Sequence, residues 1–188
     1  MTDTTHLSER ESTSMDTTEF DKRAILEVHR KWWDANVSYK IPLMRECFPD
    51  GMNFHMFNRN SFTYFGREEL TTLWEWFIET KAPVRLNQIV KIQRLDVRSD
   101  TAWIAAELYA KLERPDGTTF ETRSKATEIY HRDNGQGVPE WTMWHFHSSE
   151  LPADDAERQA FGDTIAQRGI GSSPWGEPIV SSFGVDIY

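Results

Sequence analysis

"WTMWHFHSSE", residues 141–150, alternates two sets of side chains with the two-residue period of a β-strand. Strict alternation would give the strand two faces, with Trp141, Met143, His145 and His147 on one and Thr142, Trp144, Phe146 and Ser148 on the other. The two histidines leave three alternatives open: a metal site, an acid–base pair in a pocket, or simple packing. A metal site needs a third ligand, and no other histidine stands at a matched spacing. We therefore expect no metal and keep both histidines as candidate catalytic residues.

Three segments upstream are also strand-like, and they are separated by turn sequences. They are "VRLNQIVKIQRLDVRSD" (84–100), "TAWIAAELYAKLERPDG" (101–117) and "TTFETRSKATEIYHRDNGQG" (118–137). Pro-Asp-Gly at 115–117 and Asp-Asn-Gly at 133–135 are typical of tight turns. Together with 141–150, these segments predict a long antiparallel meander.

Helical periodicity dominates the N-terminal half of the chain. It covers "FDKRAILEVHRKWWDANV" (20–37), "IPLMRECF" (41–48) and "REELTTLWEWFIET" (67–80), while "DGMNFHMFNRN" (50–60) alternates like a strand. Helices that come first and a meander that follows predict an α+β domain over residues 19–150. Its helices would pack on one face of a strongly curved, mostly antiparallel sheet.

The two ends differ in character. Residues 1–18 are rich in Ser, Thr, Asp and Glu, which predicts a disordered, solvated tail. "ADDAERQAFGDTIAQR" (153–168) is typical of an amphipathic helix. The residues after it are too apolar to remain in water without a partner. Within 151–188 we therefore expect this apolar tail to pack on a pocket mouth or on a neighbouring subunit.

Composition excludes several classes of function. The chain has 188 residues and a net charge of −9, which argues against binding to nucleic acid or to an anionic membrane surface. No apolar run approaches the ~20 residues of a membrane span. The single cysteine cannot form an internal disulfide, so a cytoplasmic location is expected. Eight tryptophans predict either a densely packed core or a roomy apolar pocket.

Two neighbouring strands of the predicted meander carry charged and phenolic side chains. Alternation puts Glu107 and Tyr109 on one face of the first strand, and Arg123 and Lys125 on one face of the second. A carboxylate beside a cation in a cleft is a typical site candidate. The alternative is a cross-strand ion pair on a solvated face, which contributes little to the stability of the fold.

Several motifs, taken in their order along the chain, resemble those of one known superfamily. A short helix ends in Cys-Phe-Pro-Asp at 47–50, Tyr-Phe-Gly at 64–66 precedes a helix, and Trp141 stands four residues before His-x-His-x-Ser. Over residues 20–150 the chain resembles the SnoaL-like branch of the nuclear transport factor 2-like (cystatin-like) superfamily. The resemblance implies a cone-shaped fold with a deep pocket, and a homodimer or higher homo-oligomer formed through the outer face of the sheet.

Members of that superfamily include ketosteroid isomerases, epoxide hydrolases, dehydratases, polyketide cyclases and catalytically silent scaffolds, so fold alone does not fix the function. Where a ketosteroid isomerase has its Tyr and Asp, this chain has Trp32 and Met56. The segment "KWWDANVSYKIPLMRECFPDGMNFHMFNRNSFTYFG" (31–66) resembles the sphingomonad diarylpropane lyases. Those enzymes release formaldehyde from lignin-derived aromatic diols without a cofactor.

The resemblance implies roles for residues of this chain. A lyase reaction through a quinone methide would need cations to stabilise a phenolate and groups that carry protons. Lys125 and Arg123 would stabilise the phenolate, and the proton carriers would come from Glu107, His145, His147 and Asp34. The side chains that would hold the small aromatic substrate are Trp33, Tyr39, Phe54, Met56, Asn58, Tyr64 and Tyr109. Asn58 has the alternative role of starting a turn, and Asp34 and Tyr39 that of ordinary solvated helix residues.

Overall fold

The computed structural model describes the backbone of residues 5–151 and 179–184, and the side chains of residues 18–151. Three helices are present in this part of the chain: α1 (Thr5–Val37), α2 (Ile41–Arg45) and α3 (Gly66–Glu79). The strands are β1 (His55–Phe57), β2 (Thr63–Phe65), β3 (Val84–Arg98), β4 (Thr101–Glu113), β5 (Thr119–Arg132), β6 (Trp141–Glu150) and β7 (Ile179–Gly184).

All seven strands form one sheet in the order β2-β1-β6-β5-β4-β3-β7. The pair β1–β6 is parallel, and the other neighbouring pairs are antiparallel. Register shifts interrupt β3 after Ile92 and the β5–β6 pair beside Ile129. Such bulges bend a sheet. The predicted α+β fold, with helices against a curved and mostly antiparallel sheet, is confirmed.

The hydrophobic core lies between the helices and one face of the sheet, called here the inner face. Strand β4 shows the division most clearly, because buried and half-buried residues alternate along its whole length. Its buried set consists of Ala102, Ile104, Ala106, Leu108, Ala110 and Leu112. These residues belong to the same core as Trp32 and Trp33 of α1. The apolar half of β4 therefore faces the helices.

One bulge changes the faces of β6. Ile129 pairs with His145 but the next residue, Tyr130, pairs with Met143, so Trp144 is an extra residue. The strict alternation expected along 141–150 is therefore wrong. Trp141 and Met143 are buried together with Phe146, whereas His145 and His147 are on the outer face with their partners Ile129 and Thr127.

Several boundaries differ from those that the pattern predicts. Helix α1 begins at Thr5 rather than near residue 20, within the segment 1–18 expected to be a tail, and no Gly or Pro interrupts the chain before Pro42. The apolar tail was expected at a pocket mouth or on another subunit. Its residues 179–184 instead extend the sheet of their own chain as β7, beside β3. The expected helix at 153–168 lies outside the described residues.

Among the residues described, no helix combines the length and the apolar character needed to cross a lipid bilayer.

Candidate functional site

A cavity of about 160 Å³ lies beneath the inner face of the sheet and is called here the inner pocket. Its aromatic walls are Trp32, Trp33, Tyr39, Trp74, Phe77 and Phe146. Its polar lining consists of Asn36, Asn58, Arg59, Asn60, Arg85 and Ser148. A mostly apolar cavity with a few convergent polar groups is the usual form of a small-molecule site.

The aromatic walls hold one another in place. The ring of Trp32 is stacked on that of Trp74, with 5.6 Å between centroids. Tyr39 contacts Trp74 edge-on at 5.7 Å and Phe77 at 5.3 Å. Tyr39 and Phe77 also line a second groove of about 550 Å³ on the far side. These two rings therefore separate the inner pocket from a neighbouring groove.

Tyr39 reaches the pocket through an unusual backbone conformation. It lies just beyond α1 with φ of 52°, a position that usually takes glycine, and the N–H of Lys40 donates to the carbonyl of Ala35 at 2.9 Å. Holding a non-glycine residue in this backbone conformation lowers the stability of the fold by ~1–3 kcal/mol. The Tyr39 hydroxyl donates to the carbonyl of Pro83 at 2.9 Å. Burial raises the pKa of Tyr39, while the nearby guanidinium charges of Arg85 and Arg59 act in the opposite direction.

Arg59 is presented by a tight turn that follows β1. The side-chain oxygen of Asn58 accepts a hydrogen bond from the N–H of Arg59 at 2.8 Å, and the N–H of Asn58 donates to the carbonyl of Phe62 at 3.1 Å. Ser61 completes the turn with φ of 67°. Asn58 therefore has both of the roles considered for it, since it starts a turn and lines the pocket.

Arg85 lies at the beginning of β3 and reaches the end of α1. Its Nη1 donates to the carbonyl of Asn36 at 2.9 Å, which places a cation at the negative end of the helix. The pKa of Arg85 is lowered to about 10, first by burial and then by the positive charge of Arg59. Both arginines therefore bring positive charge to the same part of the pocket.

A buried polar network lies behind Trp33 and was not predicted. The carboxylate of Glu128, fully buried on β5, accepts hydrogen bonds from the Trp33 indole at 2.9 Å and from the Tyr130 hydroxyl, and lies 2.7 Å from Nδ1 of His29. A signal for it was present in the sequence. Glu128 shares one face of β5 with Ala126 and Tyr130, opposite Lys125. Assigning that face to the core would have predicted a buried Glu128.

The charged cluster of β4 and β5 forms as expected but on the outer face. Glu107 pairs with Lys125 and Tyr109 pairs with Arg123, whose guanidinium lies 5.0 Å from the Tyr109 ring centre. Their strand neighbours Ala106 and Leu108 fill the inner face. These four candidate site residues therefore lie on the face of the sheet opposite the inner pocket. Tyr109 and Arg123 line a separate outer groove of about 490 Å³.

The two histidines of β6 also point away from the inner pocket. Nδ1 of His145 lies 3.1 Å from Nδ1 of His55, and His147 is exposed against the ring of Phe57. In the described part of the chain, no group of three His, Cys, Asp or Glu residues is placed to hold a metal ion. His145 and His147 therefore both lie outside the inner pocket.

The remaining candidates divide between pocket, core and rim. Trp33, Tyr39, Met56 and Asn58 line the inner pocket. Phe54 is buried against Phe48, with 3.9 Å between ring centroids. The Tyr64 hydroxyl accepts a hydrogen bond from Asn60, and Asp34 forms a half-exposed ion pair with Lys40 at 3.3 Å. Arg59 and Arg85, the charged residues of the pocket, were missed because nothing local distinguishes them from surface arginines.

Comparison with known proteins identifies the family to which this fold belongs. The family model of the SnoaL-like domain matches residues 25–154. No curated protein matches the chain. A candidate dehydratase of the nuclear transport factor 2-like family from Streptomyces avermitilis is 13% identical, with a TM-score of 0.60, covering 72% of this chain and 99% of that one.

Two further solved structures are similar in fold. A ketosteroid isomerase-like protein from Erwinia carotovora atroseptica is 11% identical, with a TM-score of 0.56 over 69% of this chain and 95% of that one. The association domain of CaMKII from C. elegans is 16% identical, with a TM-score of 0.51 over 71% of this chain and 98% of that one. Identities this low show the fold and leave the activity open. With a helix-backed curved sheet and a family match across most of its length, the chain belongs to the SnoaL-like family, of the nuclear transport factor 2-like fold.

Proposed function

We propose that the protein is a cofactor-free lyase that removes water and formaldehyde from a hydroxylated, lignin-derived aromatic molecule bound in the inner pocket. One observation carries the proposal: the phenol of Tyr39 lies in an aromatic-walled cavity beside two guanidinium groups. This arrangement combines ring-binding surfaces with a proton donor. The role of proton carrier thus passes to Tyr39 from Glu107 and the histidines of β6, which lie on the outer face.

The inner pocket has room for one aromatic ring, and the neighbouring groove is larger. The inner pocket, at about 160 Å³, is below the ~300 Å³ at which sites for drug-sized ligands begin. It suits a single ring. The neighbouring groove of about 550 Å³ begins at Tyr39 and Phe77. A two-ring substrate would place its reacting carbons between these cavities, next to the Tyr39 hydroxyl.

The first step is loss of the benzylic hydroxyl. With the substrate phenol ionised to solvent, its electron pair moves through the ring and the benzylic C–O bond breaks, giving a quinone methide. Tyr39 gives its proton to the departing oxygen, which leaves as water. Because burial raises the pKa of Tyr39, the phenol carries its proton at neutral pH. The guanidiniums of Arg85 and Arg59 then stabilise the tyrosinate that forms.

The second step returns the proton to Tyr39. The tyrosinate takes the proton of the neighbouring hydroxymethyl group, and the C–C bond to that group breaks. Its electron pair moves into the quinone methide and restores the substrate phenolate, while formaldehyde leaves. The sum is one substrate converted into an alkene, one water and one formaldehyde. Tyr39 ends in its initial protonated state.

A second candidate is a ligand-binding domain without catalysis. It is favoured by one observation: among the described residues that line the inner pocket, none is Asp, Glu or His. Such a pocket holds a ligand but has only Tyr39 to move protons. An isomerase, dehydratase or cyclase reaction would use the same pocket and the same phenol.

The test is formaldehyde release from a 1,2-diarylpropane-1,3-diol with a free para-hydroxyl. The para-methoxy analogue cannot form the quinone methide and should remain unchanged. Tyr39→Phe should lower turnover at least about 100-fold, whereas Tyr109→Phe, on the outer face, should not. Binding without any product would favour the non-catalytic domain, and water loss without formaldehyde would favour a dehydratase.

A further inference from the structure

Arg59 and Arg85 bring two positive charges to the inner pocket without a negative one. Among the described lining residues there is no carboxylate, and in that part of the chain neither guanidinium forms an ion pair. Arginines elsewhere do, as with Arg45 and Glu68 or Arg132 and Asp21. Each guanidinium opposes the charge of the other, and no carboxylate among the described lining residues offsets either charge.

Each guanidinium has a buried hydrogen-bond donor that pairs with no described residue. Nη1 of Arg59 and Nε of Arg85 are buried, and each lacks a partner among the described residues. Arg85 is held in place by its bond from Nη1 to the carbonyl of Asn36. Arg59 is held by the turn that begins at Asn58. A buried N–H without an acceptor is unfavourable, so a donor set of this kind is suited to binding an acceptor from a ligand.

We propose that Arg59 and Arg85 bind the carboxylate of a small aromatic acid whose ring lies between the aromatic walls of the inner pocket. A planar carboxylate offers two oxygens, which match the fork of N–H donors on a guanidinium. It also carries its charge throughout the neutral range, unlike a phenol. The volume of about 160 Å³ admits one ring with its acid group.

This inference rests on the proposed function only in taking the inner pocket as the substrate site. It adds that the substrate carries a carboxylate, and it stands as a binding property even if no lyase product forms. Titration calorimetry therefore tests it separately from formaldehyde release. The probes are benzoate, its neutral analogue benzamide, and 4-hydroxybenzyl alcohol, which has a phenol in place of the acid.

Benzoate should bind the wild-type protein at least tenfold more tightly than benzamide or 4-hydroxybenzyl alcohol. Arg59→Met and Arg85→Met should each weaken benzoate binding at least tenfold. The matched control is Arg98→Met, since Arg98 is 82% exposed and pairs with Asp96 on the surface. Because Arg85 also bonds the end of α1, the Arg59 variant decides the result if Arg85→Met does not fold.

Three results would overturn the proposal. Equal binding of benzoate and benzamide would mean that the arginines do not recognise charge. Tighter binding of 4-hydroxybenzyl alcohol than of benzoate, increasing as the phenol ionises, would assign the pair to a phenolate. No binding of any probe at millimolar concentration would mean that the guanidiniums only position the turn and the helix end.

Discussion

Glu128 is a buried charged residue that depends on its hydrogen-bond partners. Its carboxylate is fully buried, with the hydrogen-bonding groups of His29, Trp33 and Tyr130 around its two oxygens. Burial of a carboxylate is strongly unfavourable unless its oxygens are hydrogen-bonded. Since Trp33 also lines the inner pocket, this network fixes the orientation of one pocket wall.

Replacing Glu128 should therefore be costly. Glu128→Leu leaves buried donors without an acceptor, and we expect the free energy of unfolding to fall by about 3–5 kcal/mol. Urea denaturation measures it. Glu121→Leu, at an exposed position of the same strand, is the control and should change it by less than about 0.5 kcal/mol. A loss below about 1 kcal/mol at Glu128 would contradict the role assigned to the network.

His145 should make stability depend on pH. Burial lowers its pKa, and the neighbouring His55 adds repulsion. The unfolded chain then binds more protons than the folded one, so the contribution of His145 to stability is lost as pH falls below about 6.5. Between pH 7.5 and 5.5, His145→Gln should show a smaller decrease in the free energy of unfolding than wild type. His131→Gln, whose imidazole contacts Trp144 instead, serves as the comparison, and an unchanged slope in His145→Gln would contradict the assignment.

The long strands could be predicted from the sequence because each carries its own period and a turn at its end. Strand β2 and strand β7 could not, since each is a strand by pairing with β1 or β3 rather than by an internal pattern. Alternation along β4 gives two faces without saying which is inside. The all-apolar set from Ala102 to Leu112 was the available signal, and it places Glu107 outside. The bulge at Trp144 has no such signal, because it depends on how β5 and β6 fit together.

Strand β7 covers residues 87–92 at the edge of β3, which is 15 residues long. An uncovered edge of this length favours pairing with other chains. Proline removes a backbone N–H donor, and in β7 either Ser181 or Ser182 directs its N–H at β3. Of the variants Ser181→Pro and Ser182→Pro, the one that removes this N–H should lower the melting temperature and promote aggregation. Ser181→Ala and Ser182→Ala are the controls. Thermal melts and light scattering measure both effects, and wild-type behaviour of both proline variants would mean that β7 does not stabilise the sheet.

The outer face of the sheet carries exposed apolar side chains among the described residues. Ile89 of β3 is 45% exposed and lines the outer groove together with Tyr109 and Arg123. Exposed apolar side chains beside a groove are typical of contact surfaces. A homodimer or higher homo-oligomer through this face remains our prediction.

Charge beside the outer groove of that face should separate the subunits. We expect Ile89→Glu to elute as a monomer in size-exclusion chromatography with light scattering, while wild type elutes as a dimer or larger. Val138→Glu, at a 51% exposed loop position, should leave the oligomer intact. A monomeric wild type would mean that no oligomer forms. An oligomeric Ile89→Glu variant would mean that the interface lies on another surface.

The inner pocket and the hydrophobic core share their walls. Trp32, Trp74, Leu108 and Phe146 line the cavity and are also core residues. Widening the cavity at Trp74, for example by Trp74→Ala, would remove ~3–5 kcal/mol of packing, out of a total stability of ~5–15 kcal/mol for a typical domain. The set of molecules that this scaffold can be engineered to accept is thus coupled to its folding. Variation that preserves the fold is easiest at the rim, for example at the exposed Asn60, where a side chain meets the cavity without belonging to the hydrophobic core.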